Sequence, residues 1–226
     1  MAFSAAAQPS GLAKRVAERE AETQAARSNY MYRQLVTVED NQGGVFKETR
    51  DVVFTPAGER SEQLVGTPTN ALKRLQMTDE DFQDIRNLQP FLFTPDTFWQ
   101  YQTRPRGEET VDGIDCWVLE IKPKQVLDGQ RLFDGMFWVE KETLSVVKTE
   151  GVPPQILSRK KENLFPRFTT FREKIDGKHW FPVHTHADDV LPFSSGAVRV
   201  RMNIRYTNYR KFGAESTIKF EAPKPE

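Results

Sequence analysis

Two histidines and an aspartate at alternate positions, His184, His186 and Asp188, are the first residues whose spacing suggests chemistry. On an extended strand, positions two apart share a face, so two imidazoles and a carboxylate would converge there as metal ligands. No fourth ligand is predictable, and the plain alternative is three polar residues on the wet face of a surface hairpin. His179, of opposite parity, would face the other side. Nucleophilic chemistry has less to work with. Ser194–Ser195–Gly196 lacks the G-x-S-x-G elbow, and the single cysteine, Cys116, forms no pairing motif with the histidines. The sequence has no Gly-rich phosphate loop, and no carboxylate pair stands out. The expectation is therefore a protein that is not an enzyme and has no cofactor.

Binding chemistry has more candidates. Arg199, Arg201 and Arg205 share one parity, with Arg210 and Lys211 soon after. Such a stripe suits anionic headgroups or an acidic partner, or is a solvated face offset by glutamates on neighbouring strands. A nucleic-acid partner is not expected, because 32 basic residues balance 32 acidic ones. The aromatic set is Tyr30, Tyr32, Phe54, Phe91, Phe93, Trp99, Tyr101, Trp117 and Trp138. These residues would line an apolar cavity, or fill the core between a sheet and its helices, with Phe91 and Phe93 at a rim or lid.

The elements that position these residues are mostly strands. Aromatic content of 11% favours sheet. A helix is predicted from Gly11 to about Arg27, capped by Ser10, with a narrow Ala-rich stripe. Strands follow around Tyr30–Val38, Val45–Thr55 and Glu59–Val65, with one wet face. Gly66–Pro95 breaks the rhythm as an insertion, with a helix capped by Thr78 and Asp79, Glu80 and Asp81 in its first turn. Hairpins then resume. Gln130–Gly151 folds about a solvent turn at Glu140–Thr143, Asp176–Gly177 is a second turn, and Val198–Tyr209 is a long strand before a short one at Thr217–Phe220. A meander of about ten strands must curl or close. The fold class is α+β: a strongly curved antiparallel sheet, an unclosed β-barrel, covered by an N-terminal helix and a helical insertion.

One domain is expected over residues 11–220, after a disordered start at 1–10 and before a polar tail at 221–226. Ala5–Ala6–Ala7 has the small-x-small form of a signal-peptidase site, so the start reads as the remnant of an export signal or as an ordinary Ala-rich leader. No apolar run reaches the ~20 residues of a transmembrane helix.

Two stretches carry a resemblance. Gly135–Met136–Phe137–Trp138–Val139–Glu140–Lys141–Glu142–Thr143 is similar to the strand-turn signature of the periplasmic lipoprotein-carrier superfamily. That superfamily includes the outer-membrane lipoprotein-sorting proteins and the amino-terminal domain of the regulators of the envelope stress response. Ile204–Arg205–Tyr206–Thr207–Asn208–Tyr209–Arg210–Lys211–Phe212 resembles the ending of such sequences, and the order of elements agrees from about Gly11 to Phe220. The resemblance implies an unclosed barrel covered by helices, an apolar cavity for acyl chains and a periplasmic address. The expected partners are a lipid or lipoprotein acyl chain, with lipoprotein sorting as one use. A cell-envelope sensor or protein-interaction domain with a filled cavity is the alternative.

Overall fold

Alternation of apolar and polar side chains builds nearly all of the computed structural model, which describes residues 10–55, 59–86, 93–125, 132–152 and 164–212. A first helix, α1 (Leu12–Arg27), leads into strands β1 (Tyr30–Asp40), β2 (Val45–Phe54), β3 (Arg60–Leu64) and the two-residue β4 (Thr69–Asn70). A short helix α2 (Asp79–Arg86) and a 3₁₀ turn (Phe98–Gln100) precede β5 (Tyr101–Val111) and β6 (Ile114–Pro123). Then come β7 (Asp134–Glu140), β8 (Val146–Val152), β9 (Phe168–Ile175), β10 (His179–Phe193) and β11 (Gly196–Lys211).

All eleven strands join one antiparallel sheet in the order β3-β2-β1-β11-β10-β9-β8-β7-β6-β5, with β4 beside β2. Among the described residues the sheet does not close, and β3 and β5 are its two edges. From β5 to β11 every strand pairs with its sequence neighbour. The exception in the topology is the seam, where β1 pairs with β11 from Tyr30 opposite Lys211 to Asp40 opposite Val200. The alternation on β11 is nearly complete, with Val198, Val200, Met202, Ile204 and Tyr206 buried and the residues between them exposed.

Turn chemistry fixes the hairpins. Asp112 and Gly113, and again Asp176 and Gly177, all have positive φ. Two such residues in succession match the right-handed twist of the flanking strands. Register shifts at Met31/Arg33, Pro105/Gly107, Trp138/Val139 and Pro182/His184 bend the strands. The β5 edge is protected against pairing with other chains by Pro105, its bulge, and the charges of Arg104, Arg106, Glu108 and Glu109.

α1 lies on one face of the sheet, termed inner here, against β10 and the 3₁₀ turn. Its stripe of Leu12, Val16, Ala17, Glu20 and Thr23 is buried. Short side chains at Ala17 and Thr23 let the helix approach closely. The main core is continuous from this stripe through Val36, Phe137 and Ile204 to Ile85 of α2. A second, smaller cluster of Cys116, Val118, Trp138, Val147 and Trp180 lies on the outer face, with Val111 and Ile114 packed against it.

Between β7 and β8 two glycines meet: Gly135 is opposite Gly151. A Cβ on Gly135 would lie 2.1 Å from the Glu150 carbonyl oxygen and 2.8 Å from Cε1 of Phe133. One on Gly151 would lie 2.6 Å from Cζ of the same ring. The absent side chains thus make the seat for Phe133.

Three expectations change. α1 has no side-chain cap; its N-cap is Gly11 at φ 69°, rather than Ser10. The insertion is not a helical cover: its one described helix is the eight-residue α2, in an otherwise irregular strap. Thr78 does cap α2, accepting from the Asp81 N–H at 3.3 Å while Asp81 accepts from the Thr78 N–H at 2.7 Å. Glu140 is the buried last residue of β7, and the turn is Lys141–Thr143. Glu140 is held inside because its carboxylate accepts from Trp180 Nε1 at 3.1 Å and pairs with Lys174 at 3.5 Å. The leader 1–9, the tail and the Thr217–Phe220 strand lie outside the described residues.

Candidate functional site

The inner face divides into a polar half and an apolar half. Beneath α1, Glu20 and Arg172 of β9 form a two-pronged ion pair, Nη1 to Oε1 at 2.7 Å and Nη2 to Oε2 at 3.0 Å. Their side chains are 2% and 4% exposed. Around them Thr170 and Thr185 hydroxyls meet at 2.7 Å, and Arg60 donates to Gln34 at 3.0 Å. Tyr32 sits among the rings of Phe54, Tyr206 and Tyr209. Burial pushes the Tyr206 and Tyr209 phenols far up, so they stay protonated and supply no base at neutral pH. Arg19 donates to Ser145 at 3.1 Å, a further tie from α1 to the sheet. This half is filled with paired groups and fixes the helix in place.

An aromatic file leads away from it. Phe98, Phe93, Phe137, Phe133, Phe168 and Phe165 follow one another at centroid spacings of 5.5–6.4 Å. At its end lies an apolar cleft of about 70 Å³. The sheet supplies Val38, Leu191, Phe193, Val200 and Met202; the strap and α2 supply Leu75, Met77 and Ile85; Leu164–Pro166 closes one side. Its polar lining is Gln76 and Asp81, and the Asp81 carboxylate is engaged with Thr78.

One carboxylate fixes the strap over this cleft. Asp40 Oδ2 accepts from the N–H groups of Lys73 and Arg74 at 2.6 and 2.7 Å. Its Oδ1 accepts from Gln42 and Gly44 at 3.0 and 2.9 Å. Burial alone would raise this carboxyl, but the four N–H bonds outweigh it and hold the group far below 3.8. A carboxyl lowered on folding stabilises fully above its unfolded value, and that contribution is lost as pH falls through the lowered one. The strap should therefore stay docked at neutral pH and loosen only in strong acid. In Asp40→Asn, amide exchange at Lys73 and Arg74 should quicken about tenfold or more, the equivalent of one charge-assisted bond. Hydrogen exchange read by NMR checks this, with the α1 amides as the unchanged control.

The described aromatic candidates are placed elsewhere than at the cleft. Of the nine, none lines it among the described residues. Tyr30 packs on Phe181 and donates to Asp176, while Tyr32 and Phe54 belong to the polar half. Phe93 is a hub of the file and Tyr101 touches it, with Trp117 in the same core. Trp99 is 61% exposed, which removes it from any lining. Trp138 is on the outer face, alternating with Phe137 and Val139 of the main core, and there it lies opposite Lys148 and donates to Glu109 at 2.7 Å. Phe91 lies outside the described residues. The lining residues themselves were hard to find by sequence. Val200 and Met202 share the parity of Ile204 and Tyr206, and that alternation was the available signal.

The other candidates are on the outer face. His184 and His186 are adjacent, with centroids 5.3 Å apart, and His186 stacks on Phe171. Asp188 does not join them, since its carboxylate takes Arg199 at 2.6 and 2.7 Å and Arg201 at 3.4 Å. Among the described residues no three such ligands gather for a metal. His184 is lowered by burial and by Arg205, and so is neutral at pH 7. His179 stacks on Phe181. Cys116 is buried, and its thiol is pushed up to about 11, which suppresses the thiolate. Ser194 and Ser195 form the β10–β11 turn. No helix among the described residues is long and apolar enough to cross a membrane.

No family model matches the chain, and no curated protein does. Among solved structures it is similar to a DUF1329 family protein from Desulfovibrio piger, at 17% identity and TM-score 0.48, over 93% of this chain and 96% of that one. It is also similar to a LolA superfamily protein from Nitrosomonas europaea, at 15% identity and TM-score 0.42, over 89% and 94%. A third is an outer membrane lipoprotein-sorting protein domain from Vibrio parahaemolyticus, at 12% and 0.41, over 87% and 92%. The relationship is remote, and at these scores it carries nothing about activity.

Proposed function

We propose that this chain is a non-catalytic periplasmic binding protein that takes an acyl chain of a lipid or lipidated protein into the cleft between sheet and strap. The observation that carries this reading is the cleft itself. Apolar side chains from five separate stretches of sequence converge on it, and no free charge faces it among the described residues. Binding would be by burial, with each acyl methylene contributing about 0.8 kcal/mol. At about 70 Å³ the cleft is far below the ~300–1,000 Å³ of sites that enclose a small ligand. The cover must therefore move to admit a chain. α1 is fixed by its buried ion pair and the strap is anchored at Lys73 and Arg74 by Asp40, which leaves α2 and the strap beyond Arg74 as the moving part.

The expected result is acyl chains co-purifying with the protein from a bacterial periplasm, seen as discrete mass additions in native mass spectrometry and as lipids in an organic extract. Protein that is free of lipid, and that takes up none from short-chain lipid below micelle formation, would end the carrier reading. The small cleft and the filled polar half favour a second reading in that event: an envelope sensor or protein-interaction domain whose inner face is already occupied by its own side chains.

A further inference from the structure

A second cavity bounded by described residues is on the outer face, away from the strap. It is a groove of about 400 Å³, within the ~300–1,000 Å³ range of small-ligand sites. It crosses β11, β10, β9 and β8 and ends at the β5–β6 hairpin tip, whose Val111 and Ile114 pack against the outer cluster that includes Val147. Val147, Phe171 and Val183 make an apolar floor, and Val111 and Ile114 make the end wall.

Its charged groups are distinctive for what they lack. Arg205 at one end, Asp112 at the other and Glu173 between them have no ion pair among the described residues. Neighbouring cations on the same face do have them: Arg199 and Arg201 hold Asp188, and Lys174 holds Glu140. From Arg205 on β11 to Val147 on β8 the floor itself crosses three strand spacings of ~4.8 Å, roughly 14 Å, with the charges of opposite sign at its two ends. An extended peptide of three residues spans roughly 10 Å at ~3.3 Å per residue, and side-chain reach covers the rest.

We propose that this groove binds a short apolar peptide with both termini free, its carboxylate at Arg205 and its ammonium at Asp112. The floor takes aliphatic or aromatic side chains. Glu173, midway along, disfavours acidic ones. The site is independent of the acyl-chain cleft.

Isothermal titration with Ala-Leu-Ala, its N-acetyl form and its C-terminal amide tests this. The free peptide should bind, and each blocking group should weaken binding about tenfold, or ~1.4 kcal/mol. Arg205→Gln should remove the penalty of the amide and keep that of the acetyl group. Asp112→Asn should do the reverse, and asparagine tolerates the positive φ at this position. Both sites are exposed, so the fold should persist. Absence of binding at millimolar peptide, equal binding of the blocked forms, or unchanged selectivity in Arg205→Gln would overturn the proposal. So would NMR shifts clustering at Val38 and Met202 instead of Phe171 and Val183.

Discussion

Removing either partner of the Glu20–Arg172 pair should destabilise the protein by about 3–5 kcal/mol. Both side chains are almost fully enclosed, so Glu20→Ala takes from the buried guanidinium the carboxylate that grips it with two bonds, and Arg172→Met leaves the Glu20 carboxylate buried without that guanidinium. The cost is chiefly the stranded charge. The double variant Glu20→Leu/Arg172→Met should therefore recover most of the loss or exceed the parent, as buried pairs replaced by apolar residues often do. Urea denaturation of the four proteins gives the coupling directly. Singles within about 1 kcal/mol of the parent would mean that water reaches the pair in solution, as at an exposed site. α1 would then be no better fixed than the strap, and the assignment of the moving cover would fall.

Gly135→Ala and Gly151→Ala should be the next most damaging changes, each at or above the upper end of the ~1–3 kcal/mol typical of overpacking. The obstruction is mainly backbone. The Glu150 carbonyl at 2.1 Å from a Gly135 Cβ, and the Asp134 carbonyl at 2.4 Å from a Gly151 Cβ, cannot rotate away as a side chain would. For a chain of this size about 2–4 °C of melting temperature is lost per kcal/mol, so a fall of roughly 6–12 °C is expected. Phe133→Ala added to Gly135→Ala should not restore stability, because the carbonyl clash stays. Restoration would show that the ring alone sets the requirement. Alanine at Gly113 is the comparison: open space surrounds it, and only its positive φ opposes the change.

Local signals were legible and remote ones were not. The hairpins at Asp112–Gly113 and Asp176–Gly177 were written in two-residue turns and period-two strands, and the structure places them there. Thr78 and Asp81 were a readable cap. Glu20, by contrast, sat among many helix charges, and its partner is 152 positions away. One clue was present: Leu12, Val16, Glu20 and Thr23 follow helical spacing, which puts Glu20 on the apolar stripe. Trp138 alternates with Phe137 and Val139, but both faces of the sheet bury a cluster there, so alternation alone does not say which face is the inner one. The cleft was illegible for a third reason. It is assembled from Val38, Leu75, Phe165 and Met202, ordinary apolar residues that are ordinary core until the strap is placed over them.

The seam between β1 and β11 also sets an order of assembly. From β5 onward each strand finds its neighbour as soon as the next hairpin emerges, through short loop closures. The first strands have no such option. Tyr32, Val36 and Val38 gain their second neighbour only when Ile204 and Met202 are available, some 160–180 residues later. Closing so long a loop is slow relative to hairpin formation. A chain emerging from its amino end, from a ribosome or through a membrane, must therefore keep the β1–β3 hairpins waiting as an unpaired edge until its last long strand arrives. β11 is thus the strand that joins the two parts of the sheet, and a pause before Val198 leaves them apart.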